Sequence, residues 1–99
     1  MTWFVYIILC SDASLYTGIT TDVSRRYNQH AKAKGAKYFR GRQPVRLLYV
    51  ETGHDRSSAG KRELSIKQMN KKDKLRLIAS PLNTLTPAAM PIENVEIKE

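Results

Sequence analysis

The sequence predicts an α+β domain: a small three-stranded, mostly antiparallel sheet flanked by helices, in the order strand, strand, helix, strand, helix, helix. Three observations lead there. An apolar run near the start is followed, after four turn-forming residues, by a second strand-like run. Polar residues able to cap helices stand before three later stretches that follow a helical period. The chain has 99 residues, enough for one domain and no more.

Trp3 to Cys10 reads WFVYIILC. Its aromatic and β-branched residues suggest a strand buried on both faces in the middle of its sheet. Ser11-Asp12-Ala13-Ser14 is turn chemistry, and Leu15 to Ile19, LYTGI, is a second short strand, so the two form an antiparallel hairpin. Thr20 and Thr21 offer N-caps, and Asp22 places an anion at the start of a helix from about Asp22 to Lys34. Val23, Tyr27 and Ala31 make its apolar stripe, with Arg26 and His30 on a neighbouring face. Gly35 ends that helix, and Gly35 to Pro44 is a basic loop enclosing Tyr38 and Phe39.

Val45 to Glu51, VRLLYVE, is a third strand whose Leu47-Leu48 pair breaks strict alternation and suggests cover on both faces. Asp55, Ser57 or Ser58 caps a second helix that runs to about Met69, with Ala59, Glu63 and Ile66 on one stripe. A glutamate between two apolar stripe residues is unusual for a plain core helix. Asn70 caps a third helix, with Asp73 in a position like that of a capping box and Leu75 and Ile78 as its apolar face. Pro81 stops it. The domain therefore covers residues 1–80. Residues 81–99, with Pro81, Pro87 and Pro91 and no sustained period, are expected to form a poorly ordered or loosely docked tail.

The formal charge is +8, but it is uneven: Met1 to Ser80 holds sixteen Lys/Arg against six Asp/Glu, whereas Pro81 to Glu99 holds one Lys against three Glu. The folded part carries a positive field suited to a polyanion, although basic charge alone is equally a means to solubility. Cys10 is the only cysteine, which excludes an intrachain disulfide and fits a reducing cytoplasm. It reads as a small buried residue rather than a nucleophile. The start shows no signal peptide, and the longest apolar run is far too short to cross a bilayer.

Six residues stand out by their order and spacing. Phe4-Val5-Tyr6 lies on the first strand and Tyr16-Thr17-Gly18 on the second; Arg26 and His30 follow as Arg-x-x-x-His on a helix, and Glu63 lies on a later helix in Lys61-Arg62-Glu63-Leu64. In this order the set resembles the GIY-YIG nuclease superfamily, over nearly everything from Trp3 to about Ile78. Within it, the Tyr-Thr-Gly second motif and the Gly-Ala-Lys-Tyr loop of Gly35 to Tyr38 are similar to the small stand-alone bacterial members of the YhbQ type. Two positions depart from the pattern. Phe4 stands where the first motif opens on glycine, and Asn83 is the nearest candidate for the asparagine that often follows the last helix.

The resemblance implies a metal-dependent endonuclease that hydrolyses DNA phosphodiester bonds, structure-selective and linked to repair or recombination. It implies one divalent ion, Mg²⁺ or Mn²⁺, held by Glu63, and no small-molecule cofactor. Magnesium commonly keeps several waters and takes one or two carboxylates, which suits a lone glutamate. Read alone, Glu63 is more readily a solvated helix residue paired with Lys67 at i,i+4, because exposed glutamates on helices are so common. Arg26, ten residues after Tyr16, would fork onto a phosphate oxygen; its alternative is a surface arginine like Arg25.

By the same resemblance Tyr6 would be the general base or position the attacking water, and Tyr16 would orient a water or contact the phosphate. Both would otherwise be packing in a hairpin. A free tyrosine titrates near 10, so a base role needs positive charge nearby, which Arg26 and the metal would supply. His30 would donate to a phosphate or assist Tyr6, or else be an idle helix histidine, and His54 has no assigned role. Gly18 would keep the approach of the DNA backbone clear. Tyr38 would support the site or stack on a base, and Lys37, Arg40, Arg42 and Arg46 around it would contact phosphates rather than read sequence. The alternatives are a nucleic-acid-binding module with this fold and weak or no cleavage, and a domain that docks on a larger repair complex.

Overall fold

The computed structural model describes residues 1–32, 37–39 and 41–85, and for Lys37 the backbone alone. The order is β1 (Trp3–Cys10), β2 (Leu15–Thr20), α1 (Val23–Ala31), one 3-10 turn (Lys37–Phe39), β3 (Pro44–His54), α2 (Arg56–Lys67) and α3 (Lys71–Ile78). The sheet order is β2-β1-β3, and both pairings are antiparallel. The sheet and the element order are those expected, with β1 central. No helix among the described residues is long and apolar enough to cross a membrane.

The β1 side chains alternate between two cores. Val5 and Ile7, with Tyr49 of β3, pack under Ala59 and Ile66 of α2 and Leu77 of α3. Tyr6, Ile8 and Cys10, with Val50, pack on the other face beneath Phe39 and the α1 residues Val23 and Tyr27. The buried Cys10 fits its expected place.

Several local expectations are corrected. The α1 cap is Asp22 rather than Thr20 or Thr21: its carboxylate accepts from the Arg25 amide at 3.0 Å, while the Thr20 hydroxyl accepts from the Asp22 amide at 3.1 Å. The inner stripe of α1 turns toward His30, which is buried, and leaves Ala31 exposed. The Leu47-Leu48 pair marks a β-bulge: Ile7 pairs with Tyr49 and Ile8 with Leu47, so Leu48 is the extra residue. On α3 it is Leu77 that enters the core, and Leu75 is exposed.

Asp55 caps α2 in a reciprocal box with Ser58, and Asn70 caps α3 through the Asp73 amide at 2.8 Å. In the β1–β2 turn the Ala13 amide donates to the Cys10 carbonyl at 2.8 Å, and Ala13 adopts φ 70. Beyond α3, the Asn83 amide side chain makes four hydrogen bonds. Its oxygen accepts from the Val50 and Leu85 amides at 3.2 and 3.1 Å, and its nitrogen donates to the Leu48 and Ile78 carbonyls at 2.8 and 2.9 Å. Asn83 thus folds back and joins the bulge in β3 to the end of α3. Residues 86–99 of the expected tail lie outside the described residues.

Candidate active site

The site starts from the hairpin register. Tyr6 on β1 pairs with Gly18 on β2, so a side chain at Gly18 would meet the tyrosine ring. A β-carbon there would stand 2.5 Å from the phenol oxygen. Glycine is thus required from within the fold, before any ligand approaches. The ring crosses this gap, and its oxygen lies 2.9 Å from His30 Nε2, a bond buried between β1 and α1. Tyr16, two residues before Gly18 and on the same face, has its ring centre 6.2 Å from that of Tyr6 and 5.3 Å from that of His30. Phe39 closes the cluster, 4.2 Å from the His30 ring centre and 4.9 Å from that of Tyr16.

One turn before His30 on α1, Arg26 lies near enough for its charge to act on the same phenols. Its Nη1 donates to Gln29 Oε1 at 2.9 Å, and its hydrogen bonding and charge act on Tyr6. The sequence does not mark Gln29 as the partner of Arg26, because a lone helix glutamine carries no signal. Burial, followed by the neighbouring Tyr16, pushes the Tyr6 phenol well above the usual tyrosine range despite Arg26. Tyr16 is also pushed up, by burial above all, against the opposing charges of Lys67 and Arg26. Burial and then Arg26 hold the His30 imidazole down at about 4. At neutral pH the Tyr6–His30 bond therefore joins a protonated phenol to a neutral ring. Arg26 alone does not make Tyr6 a base.

Glu63 arrives from the other side. It lies on α2, which packs against β2 and β1, and its charge reaches both Tyr6 and Tyr16. Ala59 and Ile66 on its stripe are buried, which draws Glu63 inward and leaves its side chain 24% exposed. Lys67 Nζ lies 3.2 Å from its carboxylate, the i,i+4 pair that the spacing allows. Among the described residues no three His, Cys, Asp or Glu side chains gather as a metal-binding group. Glu63 is an accessible carboxylate, and such a donor would fit a hard ion that keeps most of its waters.

The basic loop contributes in part. The Tyr38 ring centre lies 5.0 Å from that of Tyr16, so Tyr38 extends the aromatic cluster. Arg42 is held three ways: Nε to Asp12 at 2.6 Å, Nη1 to the Tyr38 carbonyl at 3.0 Å, and its guanidinium 4.0 Å above the Tyr38 ring. It braces Tyr38 against the β1–β2 turn, and its charge is shared with Asp12. The Lys37 side chain and Arg40 lie outside the described residues.

His54 belongs to a separate network behind the sheet. Its Nε2 lies 2.6 Å from Glu51, which also accepts from Arg62 Nε at 3.1 Å and from the buried Tyr49 hydroxyl. This network ties β3 to α2, the helix that carries Glu63.

Residues 2–76 match the GIY-YIG catalytic domain, a span that contains all six motif residues. A UPF0213 protein of Desulfotalea psychrophila is 54% identical over 77 residues, covering 77% of this chain and 70% of that protein. The UPF0213 protein YhbQ of Escherichia coli is 49% identical over 77 residues, covering 78% and 77%. Two solution NMR structures are similar. A UPF0213 protein of Bacillus halodurans has TM-score 0.53 and 40% identity, with 85% of this chain and 89% of that one covered. A protein of E. faecalis has TM-score 0.56 and 33% identity, with 80% and 84% covered.

Proposed function

The chain belongs to the GIY-YIG family, a nuclease superfamily, and on that premise we propose that it is a divalent-metal-dependent endonuclease hydrolysing DNA phosphodiester bonds. We place its preference in DNA structure rather than sequence, and its role in repair or recombination. The observation that carries this reading is convergence. From three separate elements, Tyr6 is bonded to the neutral His30, and both the Arg26 guanidinium and the Glu63 carboxylate act on the Tyr6 and Tyr16 phenols.

Arg26, steadied by Gln29, offers planar donors to a nonbridging phosphate oxygen, where charge builds in the transition state. Tyr6 holds the attacking water. As its oxygen takes a proton from that water, its own proton passes to His30 Nε2. Negative phosphate beside Arg26 offsets the charge that, after burial, holds the His30 imidazole down, and makes that transfer less costly. Tyr16 contacts the phosphate at the mouth of the site. Glu63 would hold Mg²⁺ or Mn²⁺, which when bound polarises a phosphoryl oxygen and acidifies a water.

A second reading is a DNA-binding module with weak or no cleavage. It is favoured by the raised phenols of Tyr6 and Tyr16 and by Phe4 at the position of the motif glycine. A cleavage screen separates the two, using duplex, single-stranded, nicked and branched DNA with Mg²⁺ or Mn²⁺. Wild type should cut at least one form, Glu63→Gln should cut none, Arg26→Ala should cut about 10²–10³-fold more slowly, and Glu63→Gln should still bind. No turnover by wild type on any form with either ion would leave the second reading.

A further inference from the structure

Lys67 is the last residue of α2 and lies where the two sides of the site meet. Its ammonium is 3.2 Å from Glu63 Oε2 and 5.9 Å from the centre of the Tyr16 ring. A glutamate four residues before a lysine on a helix is common and stabilises little, so the ion pair alone carries no argument. The third partner does. Tyr16 belongs to the face covered by α1, yet Lys67 reaches it from α2. Tyr16 therefore stands between two cations from opposite faces of the sheet, Arg26 and Lys67. Only one of them, Lys67, is held by the carboxylate at which a metal ion would bind.

We propose that Lys67 is a displaceable cation: it neutralises Glu63 in the metal-free protein and passes to a DNA phosphate oxygen beside Tyr16 when the ion takes the carboxylate. This rests on the metal ion and the DNA of the nuclease reading above, not on cleavage itself. A divalent ion on Glu63 repels a neighbouring ammonium and removes its partner. The freed charge stays close, because its stem is fixed at the C-terminal end of α2, where the last carbonyls favour a cation. Lysine suits such an exchange, having a compact charge on a flexible stem. The half-exposed side chain, 48% accessible, has room to move.

The test uses Lys67→Met on the full chain with two readouts besides cleavage. In calorimetric titration without DNA, the variant should bind Mn²⁺ at least about twofold more tightly than wild type, since an i,i+4 pair no longer has to be broken. Lys67→Arg should show no such gain. In duplex binding at varied salt, the slope of log K against log salt should shrink by about 0.9 in the Met variant with Ca²⁺ present, and stay unchanged with a chelator. Equal Mn²⁺ affinities, or a slope change indifferent to the ion, would overturn the exchange and leave the nuclease reading intact. A wild type that binds no Mn²⁺ would overturn both. Both signatures in a protein that cuts no DNA would uphold the exchange and remove only the nuclease reading.

Discussion

The β-carbon that Gly18 lacks would stand 2.5 Å from the phenol oxygen of Tyr6 and 2.7 Å from its Cζ. Two motif residues on neighbouring strands thus constrain each other directly. Gly18→Ala should cost about 1–3 kcal/mol through overpacking. The melting temperature should fall by roughly 4–8 °C for each kcal/mol. Circular dichroism melts would check this, and a melting point matching wild type would mean that the Tyr6 ring yields freely.

Ala13 holds φ 70 in the β1–β2 turn, a conformation that suits glycine better than alanine. Ala13→Gly should stabilise by about 0.5–1 kcal/mol, after the larger entropy of the unfolded glycine chain is subtracted. Urea denaturation measures this, and a destabilised variant would contradict it.

Asn83 satisfies four backbone groups across three segments. Asn83→Ala leaves them partly unpaired and should cost about 1–3 kcal/mol. Hydrogen exchange at the Val50 and Leu85 amides should quicken more than at strand β1. Unchanged protection at both would show that water replaces the side chain without cost.

His30 is held down at about 4, against an ordinary 6.5. Between these values the unfolded chain takes up the proton and the folded one does not. Stability from this residue is therefore complete above pH 6.5 and is lost as pH falls toward 4. The loss should approach about 3 kcal/mol. His30→Gln should remove this part of the acid dependence. Urea curves at pH 7 and pH 4.5 for both proteins test it, and parallel losses would refute the assignment.

Gln29 orients Arg26 without being placed on the substrate. Gln29→Ala should lower kcat by about tenfold or less, against about 10²–10³ for Arg26→Ala, with KM little changed. Single-turnover cleavage kinetics on the best substrate from the screen would distinguish the two. A Gln29 variant as impaired as the Arg26 variant would require a direct role.

The sequence disclosed most where a pattern has one physical cause. The apolar run of β1, the turn residues after it and the caps Asp55 and Asn70 reflect local chemistry, and the elements lie where those signals place them. It disclosed less where tertiary contacts decide. His30 rather than Ala31 faces inward because Tyr6 on β1 offers it a partner beneath the helix. The doublet Leu47-Leu48 has the same composition whether it is a doubly covered strand or a bulge, and only pairing with β1 separates them. Arg42 reads as an available cation until Asp12, thirty residues earlier, is seen to hold it. Phe39 sits in a basic loop, yet it is buried against His30 and Tyr16.

The alternation along β1 has an evolutionary consequence. The phenol–imidazole pair is seated in the core built around Ile8, Val50 and Phe39, while the helix bearing Glu63 is seated in the one built around Ile7, Tyr49 and Ile66. Small volume changes at Ile66 can therefore adjust the carboxylate with the opposite layer undisturbed. Substitutions can then accumulate in one layer at a time while the fold is kept.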